Sequence, residues 1–127
     1  MIFPILRRVL HALIRLMGGE PKILKRMLIL VKPKQPYVQW VRQHGGNPGL
    51  TLEQIRYESS IAFLIPAVNW DREEVEAYID HFSPYFFHQM LSTWETDPAT
   101  WPQNHTLVMF HHWFDVEVCD MVYDMRR

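Results

Sequence analysis

The sequence is poor in the features that most often announce an activity. A single cysteine, Cys119, among 127 residues excludes an internal disulfide framework and any cysteine-rich zinc site. No apolar run approaches the ~20 residues that a membrane-spanning helix requires. The adjacent glycines Gly45-Gly46 belong to neither a GxGxxG nor a Walker pattern, so phosphate cradling has no support. A GxSxG nucleophile elbow and an HExxH zinc motif are both missing. So are internal repeats and low-complexity tracts. Acidic side chains are absent until Glu20, and that absence shapes the front of the molecule.

What is present can fold. The length fits one domain with a real core. Hydrophobic residues make up 48% of the chain and aromatics 13%, with five tryptophans, so burial can drive collapse. The net charge of −1 hides an asymmetry. Residues 1–34 carry eight basic side chains against Glu20 alone, while the remaining 93 carry five basic and thirteen acidic ones, giving halves of +7 and −8. A basic front end thus precedes an acidic body.

The stretch Trp101–Met125, WPQNHTLVMFHHWFDVEVCDMVYDM, predicts a helix turning directly into a strand. Asn104 or Thr106 supplies the cap, and Leu107, Met109, Phe110, Trp113 and Phe114 gather on one arc. The period then changes to two over Asp115–Asp124, with apolar residues on both faces, as in a central strand. Cys119 reads as a small buried residue of that strand. Asp120 breaks the alternation, and a bulge turning it outward is preferred to a buried functional carboxylate.

Upstream, Met27–Val31 predicts a strand buried on both faces, and Pro36–Gln43 a helix. Lys22–Arg26 reads as a solvated basic run. Thr51 with Gln54 and Asp71 with Glu74 have the spacing of capping boxes, each opening a helix. Ile61–Ile65 predicts a second buried strand. Ser83-Pro84 is expected to break the chain into two helices, the second reaching Trp94. The strands are separated by helical crossovers long enough for parallel pairing. The expectation is therefore an α+β fold: a three-stranded sheet, mixed or parallel, with helices packed on it. Residues 1–19 form a basic amphipathic helix in front of a single α+β domain over residues 20–127.

That first helix, residues 2–17, bears a stripe of Ile2, Leu6, Val9, Leu10, Leu13, Ile14 and Met17, with Arg7, Arg8, His11 and Arg15 opposite or alongside it. Gly18-Gly19 ends it. The arginines interrupt what would be the apolar centre of a secretory signal. Three uses compete. The stripe packs on its own domain or a second copy, lies on an anionic membrane surface, or enters a partner protein's groove. Leu6, Leu10 and Leu13 with Arg7, Arg8, His11 and Arg15 are the candidate contact residues. The basic run lacks interleaved aromatics to stack on bases, which argues against nucleic acid as a partner.

The pieces LILVKPKQPYVQWV, TLEQIRYE followed by IAFLIP, and TDPATWPQNHTLVMFHHWFDVEVCDMVYD resemble a family of small uncharacterised bacterial proteins. The resemblance spans about residues 28–124 and leaves out the helix at 2–17. It implies a cytoplasmic bacterial domain, and it assigns no catalytic or binding residue.

His111, His112 and Asp115 form the one candidate metal set. His111 and Asp115 would share a face if the helix persisted one more turn. No further ligand stands at diagnostic spacing, and the change to a strand after Phe114 is expected to turn Asp115 away. The expected role is a non-catalytic interaction or self-assembly domain without a cofactor, its partner a protein or a second copy met through the N-terminal helix. Peripheral attachment to an anionic membrane through that helix is the alternative, and a metal-dependent enzyme a further one.

Overall fold

The structure, a computed structural model, describes residues 3–17, 21–45 and 47–125, apart from the side chains of Phe3, Ile14, Arg15 and Met17. The expected roles of Ile2, Gly18, Gly19 and those four side chains therefore lie outside the described residues. In chain order, the elements begin with helix α1 (Phe3–Met17), strands β1 (Lys22–Leu24) and β2 (Met27–Pro33), and helices α2 (Gln35–Gln43) and α3 (Leu52–Ser59). Strand β3 (Ile61–Ile65) and the long helix α4 (Arg72–Ser92) follow. A 3₁₀ turn (Pro98–Thr100), helix α5 (Leu107–Trp113) and strands β4 (Phe114–Cys119) and β5 (Val122–Asp124) complete the described chain. The α+β class holds, but the sheets do not run as expected.

Both sheets are antiparallel. One has the order β3-β2-β4, and the other pairs β1 with β5. The physical reason lies in the connections. Two short helices, α2 and α3, bring the chain back beside the end of β2 that it left, where the Arg56 guanidinium of α3 donates to the Pro33 carbonyl. Strand β3 must then run against β2, with Met27 opposite Ile65 and Val31 opposite Ile61. The long helix α4, with the 3₁₀ turn and α5 after it, next carries the chain back along the sheet, so β4 runs in the same direction as β3. These two co-directional strands are not neighbours, because β2 lies between them and opposes both. Crossover length permitted parallel strands and did not dictate parallel pairing.

The centre also moves. Strand β2 is central, and the expected strand over Asp115–Asp124 is two pieces. Strand β4 is an edge of the larger sheet, and β5 belongs to the smaller one. Cys119 is consequently exposed, not buried, and Asp120 sits exposed between the two strands. Lys22–Arg26 contains β1 rather than forming only a solvated run. Along β2, Met27, Ile29, Val31 and Pro33 are buried, while Leu28 and Leu30 are only half-buried. One face of the sheet meets the helices and the other is covered far less, as antiparallel sheets allow.

The core gathers on the covered face. Tyr37 and Val41 of α2, Ile55 of α3, Phe87 and Met90 of α4, Phe110 of α5 and Phe114 of β4 are fully buried with Ile29 and Val31. Helix α5 ends because Phe114 adopts extended geometry, at φ −137° and ψ 143°. That change drops Phe110 and Phe114 into one aromatic cluster, their rings 5.5 Å apart. Thr106 caps α5 by accepting from the Met109 amide. Both capping boxes form, Thr51 with Gln54 and Asp71 with Glu74.

Helix α4 passes straight through Pro84, where a break was expected. Proline has no N–H, so the Asp80 carbonyl loses its partner one turn on. The Ser83 hydroxyl donates to that carbonyl at 2.9 Å. The acceptor is satisfied and the helix continues.

Candidate functional site

Two surfaces stand out: helix α1 and a groove beside α4. On α1, Ile5, Leu6, Val9, Leu10 and Leu13 are about half exposed, from 48% to 64%. Arg7, Arg8 and His11 are exposed as well and form no ion pair among the described residues. The helix holds no acidic side chain. Of the expected contact residues, Leu6, Leu10, Leu13, Arg7, Arg8 and His11 are thus open to solvent, and the side chain of Arg15 is not described. The described side chains of the stripe are thus not buried in the chain's own core.

The groove lies between the first half of α4 and the covered face of β4, with a volume of about 810 Å³. Val75 and Ile79 form one wall, Val116 and Val118 the other, and Trp70 and Met27 contribute apolar surface. Its existence follows from topology. Strand β4 is an edge, α4 packs on both β3 and the start of β4 (Phe86 sits 4.8 Å from Phe63 and Phe87 5.2 Å from Phe114 between ring centres), and the short α5 covers only the start of β4. Val118 is left 45% exposed on a face that is otherwise core.

The margin is mostly acidic. Asp71, Glu76, Asp80, Asp115 and Asp120 line the groove against two cations, Lys34 and Arg72. Several of these groups have work to do inside the chain. Asp71 caps α4, and Asp80 meets the His111 Nε2 at 3.2 Å, tying α4 to α5. Asp115 receives Arg56 at 2.9 Å, with Lys34 at 3.8 Å, which ties β4 to α3 and to the start of α2. Glu76 pairs along its helix with the exposed Arg72. Asp120 has no ion pair among the described residues.

The metal candidates do not converge. His111 turns to Asp80 and Asp115 to Arg56, while His112 is exposed on α5. Among the described residues, no group of three or more His, Cys, Asp or Glu side chains is placed to hold an ion. The extended Phe114 is the cause, because it removes Asp115 from the helical face that His111 occupies.

A second histidine arrangement had no sequence signal. His88 of α4 and His105, in the loop before α5, approach to 3.3 Å between ring nitrogens. His105 lies against Phe87 and His88 against Trp101. Burial holds the His105 imidazole below its usual pKa, the neighbouring His88 lowers it further, and a hydrogen bond to the Pro102 backbone acts the other way. The two rings touch each other between aromatic walls and make a packing pair. No helix among the described residues is long and apolar enough to cross a membrane. The chain matches no family model, no curated protein and no solved structure.

Proposed function

We propose that this chain is a non-catalytic α+β interaction domain that meets its partner through the N-terminal helix. The observation that carries the reading is the exposed aliphatic stripe of α1, from Ile5 to Leu13, with Arg7 and Arg8 beside it and no acid on the helix. An isolated helix of this length gains most of its stability from packing its apolar face on something. Covering five half-exposed aliphatic side chains contributes on the order of 5 kcal/mol, enough to offset much of the cost of association. The partner is a protein, a second copy of the chain included. The resemblance of residues 28–124 to small bacterial proteins and the lone thiol both agree with a cytoplasmic setting.

The test replaces Leu6, Leu10 and Leu13 together by serine in the full chain and compares solution mass across a concentration series. Mass falling toward that of one chain, with the tryptophan near-UV signal intact, is the expected result. A mass of one chain both before and after the change removes self-assembly.

The charge on α1 also favours a second reading, attachment to an anionic membrane surface. A basic amphipathic helix lies in such an interface with its apolar side down. Co-sedimentation with phosphatidylserine-containing vesicles at low salt decides it, and absence of binding there rejects it.

A further inference from the structure

We infer that the acid-lined groove between α4 and β4 receives helix α1 of a second copy, each chain lending its helix to the other in a closed dimer. The inference rests on reading α1 as the contact element, and it names both the partner and the place of contact. The two surfaces are complementary. The helix offers aliphatic side chains, with Arg7 and Arg8 further round on either side of them and no acid. The groove offers the partly exposed Trp70, Val116 and Val118 as apolar surface over the buried Val75 and Ile79, and five carboxylates against two cations. Sign and hydrophobicity match in both respects.

The geometry favours this occupant over a helix-to-helix pair. Two copies of α1 laid stripe to stripe would carry Arg7 and Arg8 on their outer sides, where neither helix has an acid to pair with them. The groove supplies what the helix lacks. Among the described residues, Asp120 has no ion pair at one margin, and Glu76 pairs with an Arg72 side chain that is 91% exposed. Reciprocal exchange about a two-fold axis buries both helices and both grooves and leaves no open end, whereas a one-way contact would propagate into a filament.

A charge swap in the full chain tests the inference. One variant carries Arg7→Glu with Arg8→Glu, and the other carries Glu76→Lys with Asp120→Lys. All four positions are exposed. Dissociation constants from sedimentation equilibrium should rise about tenfold or more for each variant alone, because like charges then face each other across the contact. Mixing the two variants should restore a dimer of near wild-type affinity, since each reversed helix meets a reversed groove. That rescue also shows that both variants are folded.

A wild-type chain that stays monomeric at every concentration overturns the inference. If it still binds vesicles through α1, contact through the helix survives and only the groove is lost. A dimer broken by the helix reversal but untouched by the groove reversal likewise overturns the groove alone. A dimer indifferent to both sets overturns the inference and the reading of α1 together.

Discussion

The Tyr37 hydroxyl of α2 donates to the Met90 carbonyl of α4 across 2.7 Å, with both residues fully buried. This bond joins the helix after the central strand to the end of the longest helix. The Thr93 hydroxyl also donates to that carbonyl, at 2.8 Å. Tyr37→Phe therefore does not orphan the acceptor, and it should cost only about 1 kcal/mol, read as a shift in urea midpoint at neutral pH. The alkaline range shows more. Burial pushes the Tyr37 pKa up to about 12, with the Thr93 hydroxyl acting against the shift. Between pH 10 and 12 the unfolded chain loses this proton and the folded chain keeps it. Stability is thus intact below pH 10 and falls as pH rises, by about 2–3 kcal/mol from this group. Tyr37→Phe should abolish that component, so the gap between wild type and variant closes and then reverses as pH climbs.

Pro84 and Ser83 form a coupled pair. Proline inside a helix costs about 3 kcal/mol relative to alanine, but the Ser83 hydroxyl already satisfies the Asp80 carbonyl. Proline also stiffens the unfolded chain. Pro84→Ala should accordingly stabilise by only about 1–2 kcal/mol. Ser83→Ala alone should destabilise by about 1 kcal/mol, and by less in the Pro84→Ala background, where the amide of residue 84 takes over. A double-mutant cycle in urea reads the coupling. Additive effects would mean that the hydroxyl is not a substitute donor.

Local features were legible in the sequence, and arrangements that depend on the whole chain were not. The Thr51–Gln54 and Asp71–Glu74 boxes formed because both partners lie within four residues. Phe110 and Phe114 are buried because aromatics at that spacing have few other places to go. Strand direction was missed because it depends on how α2 and α3 fold back, not on their summed length. The break expected at Pro84 failed through one hydroxyl, that of the neighbouring Ser83. His111 was legible as a polar residue beside the core, but its partner Asp80 is 31 positions away on another helix. The acids Glu76 and Asp80 on the outer side of α4 were legible, but the groove they line was not. It exists because the far half of an edge strand is left uncovered beside α4.

Cys119 gives a direct check on the edge position of β4. A cysteine in a central strand would be shielded, whereas this one is exposed, with its sulfur 3.3 Å from the Met121 carbonyl. Ellman's reagent should titrate one thiol per chain without denaturant, at a rate within about tenfold of that for the unfolded chain. Protection that vanishes only on unfolding would place β4 inside the sheet and contradict the order β3-β2-β4.

The histidine pair makes the acid side testable. His105 has its pKa lowered chiefly by burial and further by His88, while the hydrogen bond to the Pro102 backbone opposes both. The folded chain resists a proton that the unfolded chain accepts near pH 6.5. Stability from this group is therefore full above that pH and declines as pH falls, levelling off once the folded imidazole is itself protonated. Replacing the neighbour tests the order of causes. With His88→Gln, the His105 midpoint in an NMR titration should rise but remain below 6.5, because the larger cause is untouched. A full return to the ordinary histidine value would make charge, not burial, the dominant influence. No movement at all would mean that the two rings do not sense each other across their 3.3 Å approach.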